Sequence, residues 1–253
     1  MVMHCHFAQS VYSHSQLIKP MLPNIPNHIT FTFLAAVAYA YVLFVRASKK
    51  NTVFRFGTLF WLMLTGIAAL LGFFMVTDTL PPRTPLLIAP TFVMMIVAFS
   101  TTRGRAFIDA LDAKSLVWLS LVRIPVEICL YWLFLAGQVP EIMTFNGLNW
   151  DIIAGVTAPL VVYFYFIKKR MTKSLFLAWN VMGLVLLTSI IVIATLSVPS
   201  PFQQFGFEQP NIGILQFPIV WLPSFVAPLV YFSHFVLIRR VMRREVNVDS
   251  KAK

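Results

Sequence analysis

Charged residues are scarce in this sequence, and acidic residues are the scarcest. Only 11% of the 253 residues are charged, with nine Asp and Glu against twenty Lys and Arg. Apolar residues make up 58% of the chain, and the mean hydropathy is +0.79. A soluble domain cannot bury that much apolar surface. The shortage of polar residues therefore excludes a soluble globular domain and indicates an integral membrane protein.

Cysteine and the common catalytic motifs are missing as well. The two cysteines, Cys5 and Cys129, provide neither a disulfide framework nor metal-ligand spacing. The "HCH" at 4–6 has no partner cluster and is typical of a tail rather than a metal site. No HExxH, GxSxG, Walker A or GxGxxG motif occurs. We therefore predict no metal and no cofactor, and we favour a protein that is not an enzyme.

Long apolar runs fill most of the chain. A helix needs about 20 apolar residues to cross the hydrocarbon core, and a helix satisfies its own backbone there. The runs that qualify are 28–45, 54–77, 85–102, 115–136, 151–167, 174–197 and 214–238. The sequence thus predicts an all-α integral membrane protein with seven transmembrane helices. The membrane domain would be 28–238, between an outer tail at 1–27 and a basic tail at 239–253.

The basic residues collect in alternate loops. All except Lys19, Arg83 and Arg123 fall within 46–55, 103–114, 168–173 and 239–253. The positive-inside rule then puts the N-terminus outside and the C-terminus in the cytoplasm. The excess of positive charge is therefore explained by membrane orientation, and we predict no nucleic-acid partner. We predict a multi-pass protein of the bacterial plasma membrane.

The third and seventh predicted spans resemble each other. PLLIAPTFVMMIVAFS (85–100) aligns without a gap on PIVWLPSFVAPLVYFS (218–233), with seven identities in sixteen positions. Shared apolar composition would give roughly one or two. The match predicts a 3+1+3 parallel duplication, with repeats at 28–102 and 150–238 and a connector helix at 115–136. Chance similarity between two apolar segments is the alternative.

This layout resembles that of the sugar-efflux and PQ-loop transporters and, more distantly, that of the opsins. The chain lacks a Pro-Gln pair in its first and fifth spans and a lysine in its seventh, so it departs from both patterns. RIPVEICLYWLFLAGQVPEIMTFNGLNWDIIAG (123–155) and PSPFQQFGFEQPN (199–211) are similar to an uncharacterised family of bacterial multi-span membrane proteins. That resemblance implies a membrane fold and brings no activity with it.

Two opposite charges lie inside the fourth predicted span. Ser120, Arg123, Glu127 and Tyr131 recur at three- and four-residue spacing and so share one helix face. A charge this deep is costly and normally faces the bundle interior or a wet cavity. Arg123 and Glu127 are therefore either a structural ion pair or part of a binding site, and the spacing permits both.

Residues from other spans and loops complete the predicted site. The predicted ligand-binding residues are Arg123, Glu127, Tyr131, Asn180, Gln216, Trp221 and Ser224. The predicted outer lid above them contains Glu141, Trp150, Asp151 and Glu208. His234 is interpreted as an interface residue near the cytoplasmic end.

The predicted function is binding and translocation of a small polar or amphipathic solute through a central cavity. Its predicted partners are membrane lipids and that small molecule. The sequence also permits a homo-oligomer. One alternative is an intramembrane enzyme acting on a lipid or prenyl substrate, for which the cavity should open sideways to lipid. The other is a receptor or assembly subunit that uses its outer loops, with an apolar patch on those loops.

Overall fold

The computed structural model describes residues 25–49, 51–77, 79 and 82–249, and this part of the chain is helical without a strand. The eight helices are α1 (Asn27–Ala47), α2 (Thr52–Leu70), α3 (Pro85–Ser100), α4 (Thr102–Ala110), α5 (Ala113–Leu135), α6 (Ile152–Ile167), α7 (Lys173–Leu196) and α8 (Ala227–Asp249). The all-α prediction is confirmed. Residues 1–24 of the predicted outer tail, including the "HCH" at 4–6, lie outside the described part of the chain.

Several helices are long and apolar enough to cross a membrane. Among the described residues these are α1, α2, α5, α7 and the segment Leu222–Arg243. Helices α3 and α4 make a sixth span only if they are taken together, and they are bent by 94°. Helix α6 is apolar but shorter. The chain is therefore a multi-span membrane protein with five or six candidate spans, while the seventh span, the orientation and the duplication stay predictions.

The bend between α3 and α4 has a local cause. Thr101 has an extended backbone, and its side-chain oxygen accepts a hydrogen bond from the N–H of Gly104, which caps α4. A Cβ on Gly104 would lie 2.6 Å from the Cα of Ala98, so the turn requires glycine there. Helix α4 consequently runs across the axis of α3.

Helix α5 occupies the centre of the bundle. Helices α1, α6 and α8 pack against it, and its apolar residues Leu119, Val122 and Leu133 are buried. The approach of α6 is close because its contact residue is Gly155, where a Cβ would lie 3.1 Å from the Cβ of Arg123. This packing places the charged face of α5 in the protein interior.

Helix α8 is preceded by a π-helical turn, Leu222–Val226. Pro228 has no N–H to offer the carbonyl of Ser224, and the indole Nε1 of Trp61 on α2 donates to that carbonyl instead, at 2.8 Å. In return, Nε1 of Trp221 donates to the carbonyl of Leu62 at 2.9 Å. We call these two reciprocal bonds the indole clasp, and they tie α2 to the start of α8.

The aligned segments of the predicted repeat differ in local structure. Residues 85–100 form one α-helix that contains Pro90. The corresponding 218–233 begins with turns and the π-helical turn before α8 starts. The predicted span 214–238 was therefore wrong at its start, because residues 214–220, although mostly apolar, form a 3-10 helix and turns rather than an α-helix.

Candidate functional site

Arg123 of α5 forms a buried ion pair with Asp151, the residue before α6. Its Nε lies 3.1 Å from Oδ2 of Asp151, and the two side chains are only 3% and 5% exposed. The salt bridge of Arg123 is thus made to a residue of the predicted outer lid. Glu127, the partner that helical spacing suggested, bonds elsewhere.

His234 of α8 contacts the same guanidinium. Nη2 of Arg123 lies 3.1 Å from Nε2 of His234 and donates to the carbonyl of Gly183 at 3.2 Å. A guanidinium can only donate, so Nε2 is the acceptor and the imidazole is neutral. Its proton is then on Nδ1, which donates to Oδ1 of Asn180 at 2.9 Å. His234 is completely buried, which corrects its interpretation as an interface residue.

Gly183 of α7 makes this contact sterically possible. A Cβ at this position would lie 2.6 Å from Cε1 of His234 and 3.3 Å from Nη1 of Arg123. Because the side chain is absent, α7 approaches closely enough for its backbone carbonyl to reach the guanidinium. The sequence analysis missed Gly183, and its one available signal was its position one turn from Asn180.

Glu127 is held by a loop residue rather than by Arg123. Nδ2 of Asn149 donates to Oε2 of Glu127 at 2.6 Å and to the carbonyl of Met143 at 3.0 Å. Oδ1 of Asn149 accepts the backbone N–H of Asp151 at 3.1 Å. Asn149 therefore connects the carboxylate of Glu127 with the backbone of Asp151. The sequence analysis missed it because no local pattern distinguishes it from other loop amides.

These residues form one buried network, which we call the polar cluster. It comprises Arg123, Glu127, Asn149, Asp151, Asn180 and His234. Three buried atoms in and beside it have no hydrogen-bond partner among the described residues: Oγ of Ser120, Nη1 of Arg123 and Oδ1 of Asp151. The Nε of Arg123 faces Asp151 at ion-pair distance without hydrogen-bond geometry. Buried polar atoms normally have partners, so these atoms mark positions where a small polar group would be stabilised.

A cavity of about 70 Å³ lies beside the polar cluster. Helices α3, α5, α7 and α8, the π-helical turn and the loop residues Met143 and Ile214 form its wall. The side chains that line it are apolar except for Thr84, Glu127, Asp151 and Thr195. The arrangement combines an apolar chamber with two carboxylates in its wall.

The depth of burial changes from one end of this cavity to the other. Glu127, Leu130 and Met143 are almost fully buried. Ile88, Phe92 and Ile191 are half-buried, and Thr195 is exposed. The cavity therefore extends from the polar cluster to a rim formed by α3 and α7.

The other predicted ligand-binding residues are not among those that line the cavity. Tyr131 stacks on Phe145 with ring centroids 4.9 Å apart. Nε2 of Gln216 donates to Oε1 of Gln138 at 2.9 Å. Trp221 and Ser224 take part in the indole clasp. Asn180 lies in the polar cluster, so the structure brings together Arg123, Glu127 and Asn180 from the predicted set.

The predicted lid residues separate in the same way. Asp151 belongs to the polar cluster, whereas Glu141, Trp150 and Glu208 are exposed. The loops themselves are folded against the bundle: Nε2 of Gln209 donates to the carbonyls of Phe134 and Val139 at 2.8 and 2.6 Å. Segment 137–151 thus supplies part of the site rather than a separate cover.

The fold and the site define a helical membrane protein with a buried ion pair beside an apolar cavity. Residues 80–242, more than half of the chain, match a family model described as Domain of unknown function (DUF8737), and the chain belongs to this family. The match contains both stretches that suggested an uncharacterised family. Comparisons with curated proteins and with solved structures give no match. The description of this family gives no function, so the site is the basis for the function proposed below.

Proposed function

We propose that this protein binds one small amphipathic molecule from the surrounding lipid. The polar group of that molecule would contact Glu127 and Asp151, and its apolar part would fill the cavity toward α3 and α7. The observation that carries the proposal is the combination of an apolar wall with two buried carboxylates. A purely structural ion pair would be packed without such a chamber beside it.

The rim favours entry from the hydrocarbon region. Helices α3 and α7 form it, and their exposed apolar residues include Leu86, Val93 and Val192. Side chains of this kind face lipid acyl chains in a membrane-spanning helix. A molecule already dissolved in the bilayer would therefore reach the cavity without crossing water.

The volume limits what the cavity can hold. A water-sized group requires on the order of 10–15 Å³ of such volume, so 70 Å³ holds roughly five to seven of them. A polar group and the first few carbon atoms fit within this space. The remainder of a longer chain would extend past Ile88 and Ile191 into lipid.

Filling the cavity tests this proposal. Ala194 lines the cavity, and Ala194→Phe would occupy it. Ala89 of α3 is exposed outside the wall, so Ala89→Phe is the matched control. We expect octylamine or 1-octanol to raise the Tm of the wild type and of Ala89→Phe in nanodiscs, but not that of Ala194→Phe. Equal Tm shifts in all three proteins, or none in the wild type, would refute the proposal.

Translocation of the bound molecule is the second candidate. The irregular π-helical turn Leu222–Val226 contributes Leu222 and Pro223 to the cavity wall. Irregular helices beside a cavity favour a transport site. Protein-dependent uptake of octyltrimethylammonium into proteoliposomes would support translocation, and binding without uptake would exclude it.

The enzyme alternative has weaker support in the described structure. A sideways opening is what a lipid-modifying enzyme would need. However, Tyr131, which could act as an acid beside the base Glu127 because both lie on one helix face, stacks on Phe145 and does not line the cavity. No second group for proton transfer to a substrate accompanies Glu127 there except Asp151, which is engaged by Arg123.

A further inference from the structure

We infer that the polar group of the bound molecule is a cation, most simply the protonated amine of a primary or secondary alkylamine. This inference rests on the proposed function and specifies the ligand of that same site. The inference rests on the cavity wall, whose two charged groups are the carboxylates of Glu127 and Asp151. One of their oxygens, Oδ1 of Asp151, has no hydrogen-bond partner among the described residues.

The hydrogen-bonding character of the wall requires a donor from the ligand. Glu127 and Asp151 line the cavity, and an ionised carboxylate can only accept hydrogen bonds. Oδ1 of Asp151 has no hydrogen-bond partner among the described residues, and it is shielded from solvent because the side chain is only 5% exposed. An ammonium group carries two or three N–H donors and would satisfy this oxygen.

The only cation of the cluster is already engaged. The guanidinium of Arg123 faces Asp151 through Nε and contacts the carbonyl of Gly183 and His234 through Nη2. Its Nη1 has no partner among the described residues, but Arg123 is not part of the cavity wall. An anionic ligand in the cavity would therefore meet two carboxylates before it met Arg123. This order of contacts disfavours fatty acids and phosphate-bearing molecules.

Charge balance leads to the same conclusion. When both carboxylates are ionised, Arg123 contributes one positive charge against two negative ones from Glu127 and Asp151, and His234 is neutral because it accepts from Arg123. An uncompensated charge is expensive in a buried site. A ligand ammonium would supply the missing positive charge. A proton on Glu127 would balance the cluster in another way and would remove the preference for a cation.

Three ligands of equal chain length separate these possibilities. Octylamine, 1-octanol and octanoate each have eight carbon atoms, and at pH 7 their polar groups are cationic, neutral and anionic. We expect octylamine to bind the wild type in nanodiscs at least about tenfold more tightly than 1-octanol, as for a charge-assisted hydrogen bond, and octanoate to bind most weakly. Affinities are compared at the same membrane concentration of each ligand, so that partitioning does not contribute.

Two glutamate variants assign the preference to the cluster. Glu127→Gln removes the charge but keeps an oxygen that accepts from Nδ2 of Asn149. In this variant octylamine should lose its advantage, so that the ratio of octylamine to 1-octanol affinity falls toward one. Glu141→Gln changes the same charge at an exposed position and should leave the wild-type preference intact.

The outcomes distinguish this inference from the proposed function. Equal binding of the three ligands to the wild type, abolished by Ala194→Phe, would refute the cation and leave the binding site in place. Octylamine preference that survives Glu127→Gln would refute the role of Glu127. Absence of binding by all three ligands would refute the proposed function itself. If Glu127→Gln does not fold, the ratio of octylamine to 1-octanol affinity in the wild type still decides.

Discussion

Arg123 has more hydrogen-bond donors than its counter-ion can satisfy, and this explains the composition of the residues around it. A guanidinium presents five N–H donors, and one carboxylate takes two at most. Nε faces Asp151, Nη2 contacts His234 and the carbonyl of Gly183, and Nη1 has no partner among the described residues. A single arginine thereby connects α5 with α7, α8 and the start of α6.

Removing the counter-ion should destabilise the protein more than removing the pair. Asp151→Asn leaves Arg123 buried without its counter-ion, which we expect to cost about 3–5 kcal/mol of folding free energy. Arg123→Met and Asp151→Asn combined with Glu127→Gln should recover much of that loss, because no buried charge then remains in the polar cluster. Chemical or thermal unfolding in nanodiscs measures both.

The exposed ion pairs of Asp109 provide the matched control for this experiment. Asp109 contacts Arg239 and Arg243 at the basic end of the bundle, with side chains 22–57% exposed. Asp109→Asn should cost less than about 1 kcal/mol, as expected for surface pairs. A comparable loss for Asp109→Asn and Asp151→Asn would show that burial does not determine the effect.

Gly183 should tolerate no side chain. In Gly183→Ala the new Cβ would lie 2.6 Å from Cε1 of His234, so either α7 or the imidazole must move. We expect a loss of about 1–3 kcal/mol, as for other overpacked sites. Gly57→Ala on α2 meets nothing within 4 Å and should be neutral or stabilising by up to about 1 kcal/mol. Similar Tm values for the two variants would contradict this close packing.

At the scale of elements, the indole clasp compensates for a carbonyl that proline leaves unpaired. Trp61→Phe would remove the indole N–H that donates to the carbonyl of Ser224, at an expected cost of about 1–3 kcal/mol. Trp150→Phe removes an exposed indole and should change stability by less than about 0.5 kcal/mol. If both substitutions have the same small effect on Tm, the clasp does not hold α2 in place.

Helix boundaries could be predicted where the apolar run itself ends at polar residues. The predicted spans 115–136 and 174–197 agree with Ala113–Leu135 and Lys173–Leu196 within two residues. The run at 214–238 gave the wrong start, because apolar composition does not report that Pro218 and Pro223 withhold backbone donors. Composition therefore predicted burial in lipid better than it predicted backbone conformation.

Several residues of the site were predicted, including Asn180 and Asp151, but the only grouping that the sequence predicted was the one along a single helix. Spacing along α5 identified Arg123 and Glu127, since a four-residue interval is a local property. The bond from Arg123 to His234 joins residues 111 positions apart, and no periodicity encodes that contact. Asn149 and Gly183 were missed for the same reason: their roles arise from the packing of helices and loops that are distant in sequence.

For the whole molecule, the basic residues predict how the bundle is inserted. Green fluorescent protein, fused after residue 253, should fluoresce, because it folds when left in the cytoplasm. Alkaline phosphatase, inserted between the exposed residues Phe207 and Glu208, should be active, because it requires export. Segment 137–151 is a poor insertion point, since it carries Asn149 and Asp151. If the first fusion did not fluoresce and the second had no phosphatase activity, the orientation would be the opposite of the one predicted.

The rim formed by α3 and α7 determines which concentration controls occupancy of the cavity. A ligand that enters past Ile88 and Ile191 equilibrates with its mole fraction in the bilayer, not with its amount in water. Each added methylene group favours partitioning by about 0.8 kcal/mol, or roughly fourfold. Half-saturating aqueous concentrations should therefore fall steadily with chain length, long after the cavity has no room for further carbon atoms. Half-saturating mole fractions should become constant at that length, and the chain length at which they do so would measure the depth of the cavity.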